Sequence, residues 1–153
     1  MHTFRQLVPQ NFYNLTIISF ALQLVWENAH APLYTSYVSF GQHFPISLVA
    51  TYGDVLATLV LALSIGMYKH NLNWFAKWHG LDGILLSGLG FILAATFEIV
   101  ALTTHLWAYT PAMPHLPYLH VGLSPVLQFM LLIPLSFYLT SKTDIIRTAN
   151  FKV

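Results

Sequence analysis

Three carboxylic acids lie inside segments of the chain that otherwise read as membrane-spanning helices: Glu27, Asp54 and Glu98. Glu27 stands four residues after Gln23 and three before His30, so these three side chains share one face of a helix. An ionised side chain exposed to hydrocarbon costs roughly 2.5 kcal/mol or more. We therefore expect this face to look inward, toward other helices or a wet cavity, and we expect the other two acids to meet it there.

The composition is that of a membrane protein. Of 153 residues, 56% are hydrophobic and only 7% are charged, whereas an average soluble domain carries about 25% charged residues. The length predicts about four spans of ~20 residues without a separate soluble domain. A net charge of +1 without a basic run gives no support to nucleic-acid binding. Because the sequence has no cysteine, it can form neither a disulfide nor a thiolate metal site.

The hydrophobic pattern predicts an all-α, polytopic bundle of four transmembrane helices, with residues 1–153 as a single membrane domain. The helices are expected at about residues 12–32, 46–68, 81–106 and 122–140. Pro45 suits the first turn of the second helix. The first loop is rich in aromatic residues. The third loop is a candidate lid, because three prolines stiffen it: Pro111, Pro114 and Pro117.

The basic residues predict the orientation in the membrane. They all lie before the first helix, in the second loop or in the C-terminal tail: Arg5, Lys69, Lys77, Lys142, Arg147 and Lys152. Because lysine and arginine accumulate on the cytoplasmic side of membrane proteins, both termini are predicted to be cytoplasmic. The first and third loops, and the acids nearest to them, are then expected to face the periplasm or a lumen.

Depth along the helices decides whether the polar side chains can meet. At a rise of about 1.5 Å per residue, four of them lie ~8 to ~12 Å from the outer helix ends: Glu27, Asp54, Glu98 and Gln128. His30 and His105 lie one to two turns nearer the outer loops. Any one of these residues could simply hydrogen-bond between helices. Three acids in one layer, however, repel each other unless protons, a metal or cations neutralise them, which favours a functional site.

Proton chemistry is the function that this layer predicts. A carboxyl group in an apolar pocket can stay protonated at neutral pH and protonate an alkene, while aromatic faces stabilise the carbocation. The predicted catalytic residues are Glu27 as the acid, Asp54 and Glu98 as its proton partners, and His30 and His105 as orienting groups. The predicted substrate-binding residues are Trp26, Tyr52, Trp107, Tyr109 and Gln128. No cofactor is predicted, and the expected ligand is an apolar membrane lipid or isoprenoid.

Several other functions stay open. A transition metal ion is the alternative cofactor, for which the sequence offers these carboxylate and imidazole ligands: Glu27, His30, Asp54, Glu98 and His105. The spacing of Glu27 and His30 is half of the pattern found in di-metal helical bundles. The acids could instead bind a proton or cation in a transporter, or the bundle could be a non-catalytic subunit of a membrane assembly. Glycines in the third helix permit close helix contact, which is compatible with a homo-oligomer.

Part of the sequence resembles known membrane enzymes. The run Leu24-Val25-Trp26-Glu27, followed one helix later by Asp54, resembles the start of the integral-membrane terpene cyclases, in which a tryptophan–glutamate pair supplies the acid. The layout of Glu, Asp, His and Trp in one layer of a small bundle is also similar to the sterol isomerase superfamily that includes the emopamil-binding protein. Both resemblances imply proton chemistry on an isoprenoid, with Glu27 as proton donor and Asp54 as its partner.

A third resemblance is to small bacterial membrane proteins with Trp-Glu-x-x-His near the start. Later they carry Trp-x-Tyr, Met-Pro and Gly-Leu-x-Pro, matched here by Trp107, Tyr109, Met113, Pro114, Gly122, Leu123 and Pro125. This resemblance implies no function. The predicted location is the bacterial inner membrane in preference to the endoplasmic reticulum.

Overall fold

The computed structural model describes residues 10–150, with the side chains of residues 10–143. This part of the chain forms four α-helices: α1 (Gln10–His30), α2 (Phe40–Tyr68), α3 (Gly80–Thr103) and α4 (Leu123–Asn150). Short 3₁₀ helices follow α1 at Ala31–Leu33 and precede α3 at Trp74–Ala76. Residues 10–150 contain no β-strand, only two isolated bridges. The side chains of Arg5, Arg147 and Lys152, which helped to predict the orientation, lie outside the described residues.

Three of the described helices are long and apolar enough to cross a membrane: Phe40–Tyr68, Gly80–Thr103 and the Leu123–Thr143 part of α4. The prediction of an all-α membrane protein is confirmed to this extent. The buried face of α1 is more polar, since it includes Ser19, Gln23 and His30. A membrane span for α1, and the orientation of both termini, stay predictions.

The helices pack in the order α2, α1, α4, α3. Pairs α1 and α2, α1 and α4, and α3 and α4 are in extensive contact, whereas α2 and α3 hardly touch anywhere in the described chain. The backbones of α3 and α4 approach closely at Gly90, where an added Cβ would stand 2.6 Å from the carbonyl oxygen of Phe129. Ser87 Oγ also donates a hydrogen bond to the Met130 carbonyl, at 2.8 Å. The bundle is therefore an arc that is open between α2 and α3.

An aromatic core closes one end of the bundle, here called the lysine end because residues 69–79 carry Lys69 and Lys77. The rings of Phe75 and Phe137 lie 5.1 Å apart edge to face. Trp74 packs 5.2 Å from Phe137 and donates from Nε1 to the Ala62 carbonyl, at 3.1 Å. This packing fills the lysine end with side chains.

Two segments, residues 31–39 and 104–122, cover the opposite end of the bundle, here called the cap end. Backbone hydrogen bonds join them: Thr35 N donates to Ala108 O and Thr110 N to Leu33 O, each at 2.9 Å. The proline-rich loop predicted as a lid is thus tied to the chain that follows α1.

The helix boundaries differ from the prediction at three points. α2 begins at Phe40 and includes Pro45, because a proline so near the start removes a single hydrogen bond, the one to Gly41. α3 ends at Thr103, and His105 has a φ of 57°, which turns the chain out of the helix. α4 continues beyond residue 140 to Asn150, since a helix does not have to end with its apolar stretch.

Candidate functional site

The side-chain amide of Gln128 joins α4 to polar residues of α1 and α2. Its Nε2 lies 2.9 Å from Gln23 Oε1, 2.7 Å from Glu27 Oε1 and 2.8 Å from Asp54 Oδ2. The opposite orientation of the amide would place Gln128 Oε1 against three acceptor oxygens, so the donor must face this group. The layer predicted from helix depth thus forms around Gln128, and it brings two of the three acids together.

The Glu27 and Asp54 carboxyl groups are neighbours, because an oxygen of each lies within 2.8 Å of the same Gln128 nitrogen. The amide of Gln128 has two hydrogens for three neighbouring acceptors, so it cannot satisfy all of them at once. Two ionised carboxylates at this separation repel strongly away from bulk water. The arrangement is relieved when the pair carries one proton, which then forms the missing hydrogen bond between the two carboxyl groups.

His30 stands above this pair at the end of α1. Its Nδ1 is 3.0 Å from the hydroxyl of Ser124 on α4, and its Nε2 is 3.3 Å from Glu27 Oε2. The ring packs edge to face on Tyr34, with centroids 5.3 Å apart. His30 is therefore held between two helices, with Nδ1 at the Ser124 hydroxyl and with Nε2 close to the Glu27 carboxyl group but without a hydrogen bond among the described residues.

Glu98 lies on the other side of the site, and residues of the proline-rich loop hold it. Its Oε2 accepts hydrogen bonds from Trp107 Nε1, at 3.3 Å, and from the hydroxyl of Tyr109. The Tyr109 oxygen in turn accepts a hydrogen bond from the backbone N–H of Gly122, at 3.0 Å. The third acid is thus oriented by the cap end and not by the Glu27–Asp54 pair.

A cavity of about 600 Å³ lies between these two groups of acids. This volume is within the usual range for small-molecule sites. Its polar side chains are Glu27, His30, Asp54, Glu98 and Gln128, together with three from the first loop and the start of α2: Tyr34, Ser36 and His43. Most of the remaining wall is apolar or aromatic: Ala31, Ile46, Ala50, Leu56, Ala94, Phe97, Leu106, Trp107, Pro125 and Phe129.

Not every predicted site residue reaches the cavity. Trp107 and Gln128 line it, and Tyr109 contacts it through Glu98. Trp26 lies outside the lining, and so does Tyr52, which is 63% exposed on the outer face of α2 and packs on Phe20. His105 lies past the end of α3 and is exposed, so it does not share the face of Glu98.

Sequence reasoning missed His43 as a site residue. It was assigned to the first loop, but it lies on α2 and is buried, with no hydrogen-bond partner for Nδ1 among the described residues. His43, Ser47 and Thr51 recur every four residues on the buried face of α2, ahead of Asp54. That spacing, extended toward the N-terminus past Pro45, would have predicted His43 on the same helix face, since a proline near a helix start does not end the helix.

Tyr34 is a second lining residue that the prediction left out. It packs on the rings of His30, Trp107 and Tyr109 at the cap end. Burial raises the pKa of its phenol, and the negative charges of Glu98, Glu27 and Asp54 add to this effect. Tyr34 therefore stays a neutral hydrogen-bond donor at any ordinary pH.

The alternative metal site needs several carboxylate or imidazole groups around one point. No group of three or more histidine, aspartate or glutamate side chains in the described residues is placed to hold a metal ion. His105 lies away from the other four suggested ligands. The residues do not fit a resident metal in this arrangement.

The fold and the site together define a class of protein: an all-α membrane protein with a carboxyl-lined cavity under a loop cap. No known protein family, curated protein or solved structure is significantly similar to this chain.

Proposed function

We propose that the protein binds an apolar lipid or isoprenoid in this cavity and acts on it by proton transfer, as an isomerase or cyclase. One observation carries the proposal. The Glu27 and Asp54 carboxyl groups share one amide donor, Gln128, at the wall of a cavity that is otherwise mostly apolar. Such a pair favours a state with one proton, and a carboxylic acid at an apolar wall can protonate a carbon–carbon double bond.

The opposite wall supports the second half of the reaction. Glu27 gives its proton to one alkene carbon, so that a C–H bond forms and the neighbouring carbon becomes cationic. Phe97, Trp107 and Phe129 line the cavity and offer aromatic faces to this cation. Loss of a proton from an adjacent carbon to Glu98 or Asp54 then restores a double bond. The substrate gains one proton and loses one, so the net change is an isomerisation or a ring closure.

The partial resemblance to membrane terpene cyclases and sterol isomerases supports the same chemistry, since both place an acid beside a tryptophan in a small bundle. The other predicted functions have less support. A transport pathway has no support from the lysine end, because packed aromatic side chains fill it. The metal site lacks a ligand group among the described residues. Nothing specific favours a non-catalytic subunit.

Deuterium transfer tests the proposal. Purified protein in mild detergent is incubated in heavy water with farnesol, geranylgeraniol or squalene, and mass spectrometry measures deuterium bound to carbon. We expect incorporation with the wild type and a loss of at least 100-fold in Glu27→Gln, because general acid catalysis contributes about 10²–10⁴-fold.

The matched control is Tyr52→Phe, a change on the outer face of α2 that should leave the rate unchanged. Deuterium incorporation by Glu27→Gln at the wild-type rate would contradict the role of Glu27. The absence of incorporation into all three probes with the wild type would contradict the proposed chemistry.

A further inference from the structure

A groove between α2 and α3 lies next to the cavity. This second space, about 240 Å³, is lined by Gly53, Leu56, Ala57, Val60, Leu61, Leu93 and Phe97. All seven are apolar, and they come from α2 and α3 only. Gly53, Leu56 and Phe97 also line the large cavity, so the two spaces are adjacent.

The groove follows from the packing order of the helices. Because α2 and α3 are the two ends of the arc, the space between them opens sideways, toward the membrane. Along α2 the lining runs from Gly53 to Leu61, which is ~12 Å at the usual rise of an α-helix. The groove begins at the level of Asp54 and runs toward the lysine end, where the aromatic core closes the bundle.

We infer that the ligand is a long, linear isoprenoid or acyl chain that enters between α2 and α3 and keeps its tail in this groove, with its reactive end at the Glu27–Asp54 pair. The inference rests on the proposed function and names the shape of the substrate. An elongated space that is polar at one end and apolar over the rest matches a linear chain better than a compact ring system.

The small volume of the groove argues against a protein helix as its occupant. An α-helix with its side chains is about 10–12 Å across, and a helix from a second copy of the chain needs far more room than about 240 Å³. A single hydrocarbon chain fits between side chains of α2 and α3.

Gly53 lies at the junction of the cavity and the groove. A Cβ built on it meets no atom within 4 Å, so a larger side chain starts in open space. Leucine also favours a helix more than glycine does. Gly53→Leu should therefore block the passage while preserving the fold.

Gly88 provides a matched control. It lies on α3, is exposed, and a Cβ on it likewise meets nothing within 4 Å. It lines neither the cavity nor the groove. Gly88→Leu makes the same chemical change on the outer face of the bundle.

The test is equilibrium binding of tritiated geraniol and geranylgeraniol, which differ only in chain length, to detergent-purified wild type, Gly53→Leu and Gly88→Leu. We expect Gly53→Leu to weaken geranylgeraniol binding at least tenfold and geraniol binding less than threefold. Gly88→Leu should bind both as the wild type does. A geranylgeraniol carrying a diazirine at its tail should crosslink in the wild type to residues 56–61 or 93–97.

The outcomes separate this inference from the proposed function. Wild-type affinity of Gly53→Leu for geranylgeraniol, equal weakening for both alcohols, or tail crosslinks elsewhere would overturn the groove while leaving the cavity as a ligand site. Conversion of a wild-type dimer to a monomer by Gly53→Leu would assign the groove to a second copy. Failure of the wild type to bind either alcohol would overturn the proposed function and the inference together.

Discussion

The Gln128 amide nitrogen has three acceptor oxygens within hydrogen-bond distance but only two hydrogens, and this shortage defines the site at the scale of single residues. A purely structural layer would match donors to acceptors, because a buried acceptor without a donor costs about 1–3 kcal/mol. Here two carboxyl groups compete for one amide, which leaves a proton as the missing partner. His30 and Tyr34 add further polar groups at the cavity wall.

Replacing Gln128 tests how much the layer depends on it. We expect Gln128→Leu to lower the free energy of unfolding by about 1–3 kcal/mol, because Glu27 and Asp54 lose their common donor. Thermal unfolding in detergent measures the change. The control is Gln42→Leu at an exposed position of α2, which should change stability by less than about 0.5 kcal/mol. Equal stability of the two variants would show that the amide contributes nothing.

At the scale of elements, glycines decide how the helices meet. Gly90 allows α3 to approach the backbone of α4 at Phe129, and the hydrogen bond from Ser87 to Met130 reinforces this contact. Gly53 has the opposite role, since it leaves open space between α2 and α3. The same residue type thus closes one side of the bundle and opens another.

Adding a methyl group at Gly90 should separate α3 from α4. The new Cβ would stand 2.6 Å from a backbone oxygen, which cannot rotate away as a side chain can. We expect Gly90→Ala to lower the free energy of unfolding by about 1–3 kcal/mol, the usual cost of overpacking. The control Gly88→Ala should be neutral or slightly stabilising, because its Cβ meets open space. Thermal unfolding that ranks the two variants in reverse order would contradict this packing.

At the scale of the whole molecule, the antiparallel order of the four helices places the cap end and the lysine end at opposite ends of the bundle. The three most apolar helices suggest membrane insertion. The distribution of lysine and arginine predicts a cytoplasmic lysine end, and the cavity then lies toward the periplasm or lumen.

Cysteine labelling tests this orientation directly, because the sequence contains no cysteine. Asn73→Cys lies at the lysine end, and Tyr118→Cys replaces a side chain that is 96% exposed at the cap end. In intact cells a membrane-impermeant maleimide should label Tyr118→Cys only, and after cell lysis it should label both. Labelling of Asn73→Cys alone would reverse the orientation, and labelling of both in intact cells would contradict a membrane-spanning bundle.

Helix content, approximate helix positions and the depth of the acids could be read from the sequence, because they follow from local hydrophobicity, periodicity and the rise of a helix. The sharing of one face by Gln23, Glu27 and His30 followed from their spacing. The helix boundaries were harder to predict from the sequence. Pro45 falls within α2, because a proline near the start of a helix removes only one hydrogen bond. His105 lies beyond α3, because its left-handed backbone conformation ends the helix.

The sequence by itself determined that the chain is an apolar, all-α protein with acids at one depth. Only the tertiary structure decided which residues share the cavity. Periodicity specifies a face of one helix, whereas a cavity depends on which helices pack side by side. The pairing of Asp54 with Glu27 through Gln128, the separate hold of Trp107 and Tyr109 on Glu98, and the opening between α2 and α3 all depend on contacts between residues distant in sequence.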